Sequence, residues 1–129
     1  MKFKEAVTYD DMLMVPQYSD ITSRSEVDIK SYLGDREFSI PIITSPMDTI
    51  SETEMAHAIG NMGGLAVLHR YNSITSQQNM AKEVVTRSDW SGQVAAAIGV
   101  TGDYLERAEA LIAVGTDILC IDVAHGHHA

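Results

Sequence analysis

The sequence predicts an α/β fold in which four parallel strands alternate with three helices, as in the N-terminal half of a (β/α)8 TIM barrel. Three observations support this prediction. Short apolar runs and amphipathic segments alternate with a period of about 25 to 30 residues, which suits such a barrel. The apolar runs show no alternation of polar and apolar residues, as is typical of parallel strands buried on both faces. Glycines stand where the first and third helical segments end.

The individual elements follow from local signals. Gly63 and Gly64 end the first helix, Ser73 or Thr75 caps the second, and Gly115 ends the third. Apolar residues at helical spacing predict the buried faces of the outer two helices: Met55, Ala58, Ile59 and Met62 on the first, and Leu105, Ala108, Leu111 and Ile112 on the third. The predicted strands are 41–44, 65–68, 94–98 and 118–121, and the predicted helices are 51–62, 73–86 and 103–114.

The first 39 residues lack this repeat, and we expect an irregular lead-in that wraps the barrel and forms no separate domain. Residues 1–129 then form one partial barrel domain, whose sheet lies within 40–129. We expect the chain to stop halfway through the barrel. The alternative is an open, flavodoxin-like sheet, which would need a helix after the fourth strand.

Composition narrows the classes of partner. The net charge is −9, from 9 basic and 18 acidic residues without a basic cluster, which argues against nucleic-acid binding. No apolar run approaches the roughly 20 residues of a membrane span, and the N-terminus lacks the apolar core of a signal peptide. We therefore expect no membrane partner and a cytoplasmic location. The single cysteine, Cys120, lies in a predicted strand and is expected to be a small core residue.

Polar or glycine residues follow all four predicted strands. Because the carboxyl ends of parallel strands converge on one face of a barrel, where such enzymes place their active sites, these residues are the candidates for function. They are Ser45, Met47 and Asp48 after the first strand, His69, Arg70 and Asn72 after the second, Gly99 and Gly102 after the third, and Asp122, His125, Gly126, His127 and His128 after the fourth.

Each candidate also has a structural interpretation. Asp48 could cap the first helix or its preceding turn, His69 and Arg70 could be a solvated strand end, and the glycines could only form turns. The histidines near 125 suggest a metal, but no carboxylate or cysteine pattern of ligand spacing accompanies them, so we expect no metal site.

Five motifs in order resemble the IMP dehydrogenase/GMP reductase family. They are TYDDMLMVP at 8–16, SEVD at 25–28, IPIITSPMDT at 40–49, GGLAVLHR at 63–70 and DILCIDVAHGH at 117–127. The resemblance covers nearly the whole chain. It implies a TIM-barrel oxidoreductase that acts on a purine nucleotide, IMP or GMP, with NAD or NADP as cofactor, and that assembles as a homo-oligomer, a tetramer for the full-length family.

The resemblance also implies roles for individual residues. Ser45 and Met47 would lie against the purine nucleotide, with Asp48 and Arg70 on the same substrate-binding side. Asp122, with His125 and Gly126, would bind the cofactor, and the Asp122 carboxylate would accept hydrogen bonds from the nicotinamide ribose. The family's nucleophilic cysteine would lie beyond residue 129, since Cys120 matches a strand position. We therefore expect no catalytic residue in this chain and no turnover by it alone.

The direction of the reaction is left open by the resemblance. His125 and His127 favour a dehydrogenase, whereas residues 119–123 look more like a reductase. The second predicted helix leads directly to the third strand, so the CBS insertion of many family members is not expected. We slightly favour oxidation of IMP to XMP over reduction of GMP to IMP and ammonia. A non-catalytic half-barrel that self-associates through its open edges is the remaining hypothesis.

Overall fold

The computed structural model describes residues 3–128, which contain a two-stranded hairpin followed by a four-stranded sheet with three helices. The hairpin strands are β1 (Ser31–Leu33) and β2 (Arg36–Phe38), and short 3-10 turns precede them at Tyr9–Asp11 and Arg24–Glu26. The rest of the chain alternates as β3 (Ile43–Thr44), α1 (Thr53–Asn61), β4 (Leu65–Leu68), α2 (Ile74–Val85), β5 (Gln93–Ile98), α3 (Tyr104–Ala113) and β6 (Ile118–Ile121).

The large sheet is parallel throughout and its strands stand in sequence order, β3-β4-β5-β6. All three helices contribute to the core cluster on one face of this sheet, whereas β2 contributes Phe38 to the other face. A flavodoxin-like fold would have a switched strand order and helices on both faces. The fold is therefore α/β with the arrangement of half a TIM barrel, as the sequence predicts.

The two central strands carry the core. Every residue of β4 and all but the first of β5 are buried, because one face packs on the helices and the other on the hairpin side. The first strand is shorter than predicted, since β3 has two residues and not four. Proline at 41 has no backbone N–H to donate, and pairing starts where Leu65 N–H donates to the Ile42 carbonyl at 3.0 Å.

Helix boundaries follow the predicted signals closely. Ser73 Oγ accepts from Ser76 N–H at 3.1 Å and caps α2, so Ser73 and not Thr75 is the cap. Gly63 and Gly115 have φ of +82° and +94° just after α1 and α3, a conformation that glycine adopts without steric cost. Residues 86–92 connect α2 to β5.

The predicted helix faces are partly wrong. In α1 the buried residues are Ala56 and Gly60, whereas Met55 and Met62 are 38% and 56% exposed. A Cβ at Gly60 would lie 2.3 Å from Trp90 Cη2, so the indole fills the space beside a helix that only glycine permits. In α3 the core receives Leu111 fully, while Leu105 and Ile112 are more than half exposed. Spacing alone overestimated the width of both apolar faces.

The lead-in is not irregular throughout, because its last part is the β1–β2 hairpin. Phe38 is 6% exposed and packs with Leu65 and Val67 on the side of the sheet away from the helices. Arg36 Nη1 donates to Gln93 Oε1 at 2.8 Å and its Nη2 donates to the Asp117 carbonyl at 3.3 Å. The hairpin is thus held at the starts of β5 and β6.

Residues 3–30 do not pack on the large sheet, and their wrapping of a complete barrel stays a prediction. Every residue of this segment is exposed, including Tyr9 at 98% and Met14 at 96%. Its hydrogen bonds are local, such as Thr22 Oγ1 to Glu26 Oε1 at 2.7 Å, which lowers the pKa of Glu26. Within residues 3–128, no helix is long and apolar enough to cross a membrane.

Candidate functional site

The candidate residues lie along one edge of the large sheet, where its four parallel strands end. A loop of residues 45–52 leaves β3, residues 69–73 leave β4, Gly99 follows β5, and Asp122 follows β6. Strand ends of this kind bind ligands in α/β proteins, because side chains and free backbone groups from several strands converge there.

Arg70 joins the ends of β4 and β6. Its Nη2 donates to the Asp122 carbonyl oxygen at 3.0 Å, and its Nε lies 3.5 Å from Asp122 Oδ2. The side chain crosses the end of β5, where a Cβ at Gly99 would lie 3.5 Å from Arg70 Nη1. Both charged side chains are partly exposed, at 34% for Arg70 and 27% for Asp122, so part of each faces solvent.

Arg70 also retains hydrogen-bonding capacity. Its guanidinium carbon lies 5.7 Å from the centre of the Tyr71 ring, a cation–π distance that restrains the side chain from a second direction. Within the described part of the chain, its buried Nε has no hydrogen-bond partner. A buried donor without a hydrogen bond is costly, and the charge of Asp122 Oδ2 at 3.5 Å offsets part of that cost.

The loop after β3 is held by Ser51, a residue that the sequence analysis did not single out. Its hydroxyl is fully buried, donates to the Ser45 carbonyl at 2.5 Å and lies 2.7 Å from Thr44 Oγ1. Met47 N–H donates to the Ser45 carbonyl at 2.8 Å, which turns the chain sharply after β3. The sequence places this serine only at the start of the predicted helix 51–62, which does not indicate a contact with the loop after β3.

His69 connects the β3 and β4 loops. Its backbone N–H donates to the Ser51 carbonyl at 3.3 Å, and its ring is only 3% exposed. Because Nδ1 accepts from Tyr71 N–H at 3.2 Å, the ring proton belongs on Nε2, which donates to Glu52 Oε1 at 3.2 Å. His69 is therefore a buried connector, and the alternative of a solvated strand end is wrong for it.

The predicted site residues divide into two groups. Arg70 and Asp122 are in direct contact, whereas Ser45, Met47 and Asp48 are exposed and form no hydrogen bond or ion pair with either of them among residues 3–128. Asp48 does not cap α1, because the N-cap position is Glu52. His125 and Gly126 are exposed beyond β6, with the His125 and His127 rings 6.4 Å apart and edge-on.

In the part of the chain that the structure describes, neither a metal cluster nor a reactive thiol lies at this edge of the sheet. Among residues 3–128, no group of three His, Cys, Asp or Glu side chains is placed to hold a metal ion. Burial, with a smaller contribution from the Asp122 charge, raises the pKa of the Cys120 thiol. A raised pKa keeps the thiol protonated, which agrees with the predicted role of Cys120 as a packing residue in β6.

A parallel sheet with strands in sequence order and helices on one face has the arrangement of half a TIM barrel, and its charged residues lie at the strand ends where TIM-barrel enzymes place their active sites. The family model for the IMP dehydrogenase / GMP reductase domain matches residues 6–129. The chain therefore belongs to the IMP dehydrogenase/GMP reductase family of oxidoreductases, as its motifs suggested.

Curated relatives agree with this assignment. The inosine-5'-monophosphate dehydrogenase of Nitrosopumilus maritimus is 44% identical over 85 residues, which cover 65% of this chain and 18% of the relative. That of Borreliella burgdorferi is 30% identical over 172 residues, with 96% and 42% coverage, so this relative carries residues within the matched region that this chain lacks. That of Aquifex aeolicus is 37% identical over 103 residues, with 79% and 20% coverage. The chain spans less than half the length of each.

Proposed function

We propose that this chain forms the first half of the nucleotide-binding face of a purine-nucleotide oxidoreductase of the IMP dehydrogenase type, which converts IMP, water and NAD to XMP and NADH. The observation that carries the proposal is the contact between Arg70 and Asp122 across the ends of three strands. The curated relatives named above support the dehydrogenase direction by their names.

The cofactor would be held mainly at the end of β6. Asp122 keeps exposed carboxylate surface beside Arg70, and a carboxylate can accept hydrogen bonds from both hydroxyls of a ribose. His125 and Gly126 follow on the same exposed segment and would contact the cofactor, NAD or NADP. The nicotinamide, when bound, accepts a hydride. The residues present therefore fit a nicotinamide nucleotide.

The purine nucleotide would lie against the loop that follows β3. Ser45, Met47 and Asp48 are exposed there, while Ser51 and His69 hold the backbone in place beneath them. A hydroxyl, a polarisable thioether and a carboxylate offer polar and apolar contact to a base and ribose. Arg70 would complete the substrate side from β4.

This chain's own contribution is binding and orientation. Asp122 would fix the ribose, Arg70 would fix Asp122, and the β3 loop would fix the purine, which together bring two reactants into one geometry. The family's nucleophilic cysteine matches no residue here, because Cys120 lies within β6. We therefore propose that catalysis requires a complete barrel containing these residues. We also retain the expectations of a cytoplasmic, homo-oligomeric enzyme without a CBS insertion, nucleic acid or membrane partner.

Two alternatives have specific support. Residues 119–123 resemble a GMP reductase, which would convert GMP and NADPH to IMP and ammonia. The second alternative is a non-catalytic half-barrel that self-associates. It is supported by the outermost strands of the large sheet, β3 and β6, whose residues Ile43 and Ile121 are 57% and 62% exposed. A second copy could pair with these edges and build an eight-stranded ring.

The decisive experiment grafts this chain into the matching region of the Borreliella burgdorferi relative, which covers 96% of it, and measures both reactions in the folded graft. We expect NADH formation with IMP and NAD, and no loss of NADPH with GMP. NADPH-dependent loss of GMP alone would favour the reductase. Absence of both reactions in a folded, oligomeric graft would contradict the proposed function, and a discrete dimer of the chain in light scattering would then favour the self-associating half-barrel.

A further inference from the structure

We propose that Arg107 and Gln77 are positioning residues that hold the loop between β4 and α2, and through it Arg70, in place against Asp122. The functional consequence for a bound nucleotide rests on the proposed function, whereas the positioning itself is a property of the folded chain. Neither residue carries a predicted role; Gln77 lies in α2 and Arg107 in α3.

Gln77 connects the ends of the two central strands. Its side chain is fully buried, and its Nε2 donates to the Ala97 carbonyl in β5 at 2.8 Å and to the Leu68 carbonyl in β4 at 3.3 Å. Leu68 directly precedes His69, and Ala97 stands two residues before Gly99; His69 and Gly99 both follow the strand ends at the candidate site. Gln77 therefore fixes the spacing of two strands just where the loops begin.

Arg107 holds the far end of the same loop. Its side chain is 7% exposed, its Nη1 donates to Gln77 Oε1 at 2.8 Å, and its Nη2 donates to the Asn72 carbonyl at 3.0 Å. Asp103 Oδ2 accepts from Nη2 at 2.8 Å, and this bond lowers the pKa of Asp103, so the arginine charge is paired. Arg70 thus lies between two points, Leu68 and Asn72, that one buried network holds.

Stability alone is a poor explanation for this network. The ion pair of Arg107 with Asp103 is half exposed, because the Asp103 side chain is 49% exposed, and such pairs contribute little to stability. The Arg107 guanidinium donates to three acceptors on different elements, and these bonds fix the positions of the acceptors relative to one another. The network thereby holds the backbone of residues 68–72, which places Arg70 against Asp122.

The test uses the whole chain labelled with nitrogen-15 and compares Arg107→Lys with Arg87→Lys. Arg87 is the matched control because it pairs with Glu54 and Glu83 at the other end of α2. In Arg107→Lys we expect the Arg70 Nε–H resonance to shift. The Tyr71 amide, which donates to His69 Nδ1, should exchange about tenfold faster, since local opening governs exchange. Arg87→Lys should change neither signal, and both variants should keep the far-ultraviolet circular dichroism of the parent.

A second variant keeps the proposal testable if Arg107→Lys does not fold. Gln77→Glu retains an acceptor for Arg107 but cannot donate to the Leu68 and Ala97 carbonyls, so the same two signals should change. A folded Arg107→Lys or Gln77→Glu variant with parental Arg70 and Tyr71 signals would overturn the proposal.

Titration with NAD separates this proposal from the proposed function, and it uses the grafted barrel because the chain alone supplies half of the proposed site. If the grafted barrel binds NAD, Arg107→Lys in it should weaken binding by about tenfold, as substitutions that reorient a ligand-contacting residue commonly do. Parental NAD affinity in that variant would overturn the functional consequence. If the grafted barrel does not bind NAD but the Arg70 and Tyr71 signals of the chain still respond to Arg107→Lys, the positioning network stands and the proposed function is contradicted.

Discussion

Arg70 and Asp122 stand 52 positions apart in the sequence, yet Arg70 Nη2 donates to the Asp122 carbonyl oxygen at 3.0 Å. The contact spans the ends of β4, β5 and β6, with Gly99 beneath the guanidinium. Since one oxygen of Asp122 lies 3.5 Å from Arg70 Nε, the pair fixes the carboxylate while leaving part of it exposed. A carboxylate in this state can bind a diol without first being ordered by the ligand.

Loss of this contact should reduce nucleotide affinity. In the grafted barrel we expect Arg70→Met to raise the KM for NAD about tenfold, because Asp122 loses a charge-assisted partner. Arg70→Lys should recover part of this loss, since it restores the charge but not the two-point geometry. Saturation kinetics for NAD measure both effects. Equal KM values for the parent and Arg70→Met would exclude a role for the pair in cofactor binding.

Phe38 should contribute strongly to stability through its packing under the sheet. Phe38→Ala removes a side chain that is 6% exposed and packs with Leu65 and Val67, so we expect a loss of about 3 kcal/mol in the free energy of unfolding. Phe3→Ala is the matched control, because Phe3 is 87% exposed, and it should change stability little. Urea denaturation of the chain decides, and equal midpoints for the two variants would contradict the hairpin packing.

The packing of the Trp90 indole against α1 should require a glycine at position 60. Alanine normally favours a helix interior over glycine by roughly 1 kcal/mol, but a Cβ here would lie 2.3 Å from Trp90 Cη2. We therefore expect Gly60→Ala to destabilise the chain by about 1 to 3 kcal/mol. In a Trp90→Leu background the same change should become neutral or stabilising. A double-mutant cycle without coupling between the two positions would contradict this contact.

Asp103 should make stability fall in acid. Its pKa in the folded chain is lowered, chiefly by the hydrogen bond from Arg107, so the carboxylate binds protons less readily than in the unfolded chain. Its contribution is present above the unfolded pKa of about 3.8 and is lost as pH falls through the folded pKa. Asp103→Asn should therefore flatten the acid limb of unfolding free energy against pH. Asp20→Asn, a change in the exposed lead-in, should leave that limb as in the parent, and identical curves for Asp103→Asn and the parent would refute the linkage.

Local signals were sufficient for most of the fold. The alternation of elements, the cap at Ser73 and the stops at Gly63 and Gly115 depend on neighbouring residues, so the sequence could predict them. The β1–β2 hairpin was missed because its strands are three residues each, and their fixing contacts, from Arg36 to Gln93 and Asp117, are distant in sequence. Helix faces were misjudged because Gly60 and Arg107, which spacing rules count as weak or polar, occupy buried positions.

The candidate site shows the same division. The convergence of strand ends could be predicted from the parallel β/α order, and it brings Arg70 to Asp122. What could not be predicted is the support behind these ends, namely Ser51, Gln77 and the buried ring of His69. Their hydrogen bonds go to backbone carbonyls and to partners on other elements, and a single sequence contains no pattern that marks such contacts.

The central claim is that Asp122 binds the cofactor ribose at the end of β6, and Asp122→Asn in the grafted barrel tests it most directly. An amide keeps the shape but has one acceptor oxygen, not two, and no charge. The account predicts a KM for NAD raised at least about tenfold with the KM for IMP nearly unchanged, since hydrogen bonds to a charged group are among the stronger ones. Parental KM values for both substrates in a folded Asp122→Asn barrel would contradict it.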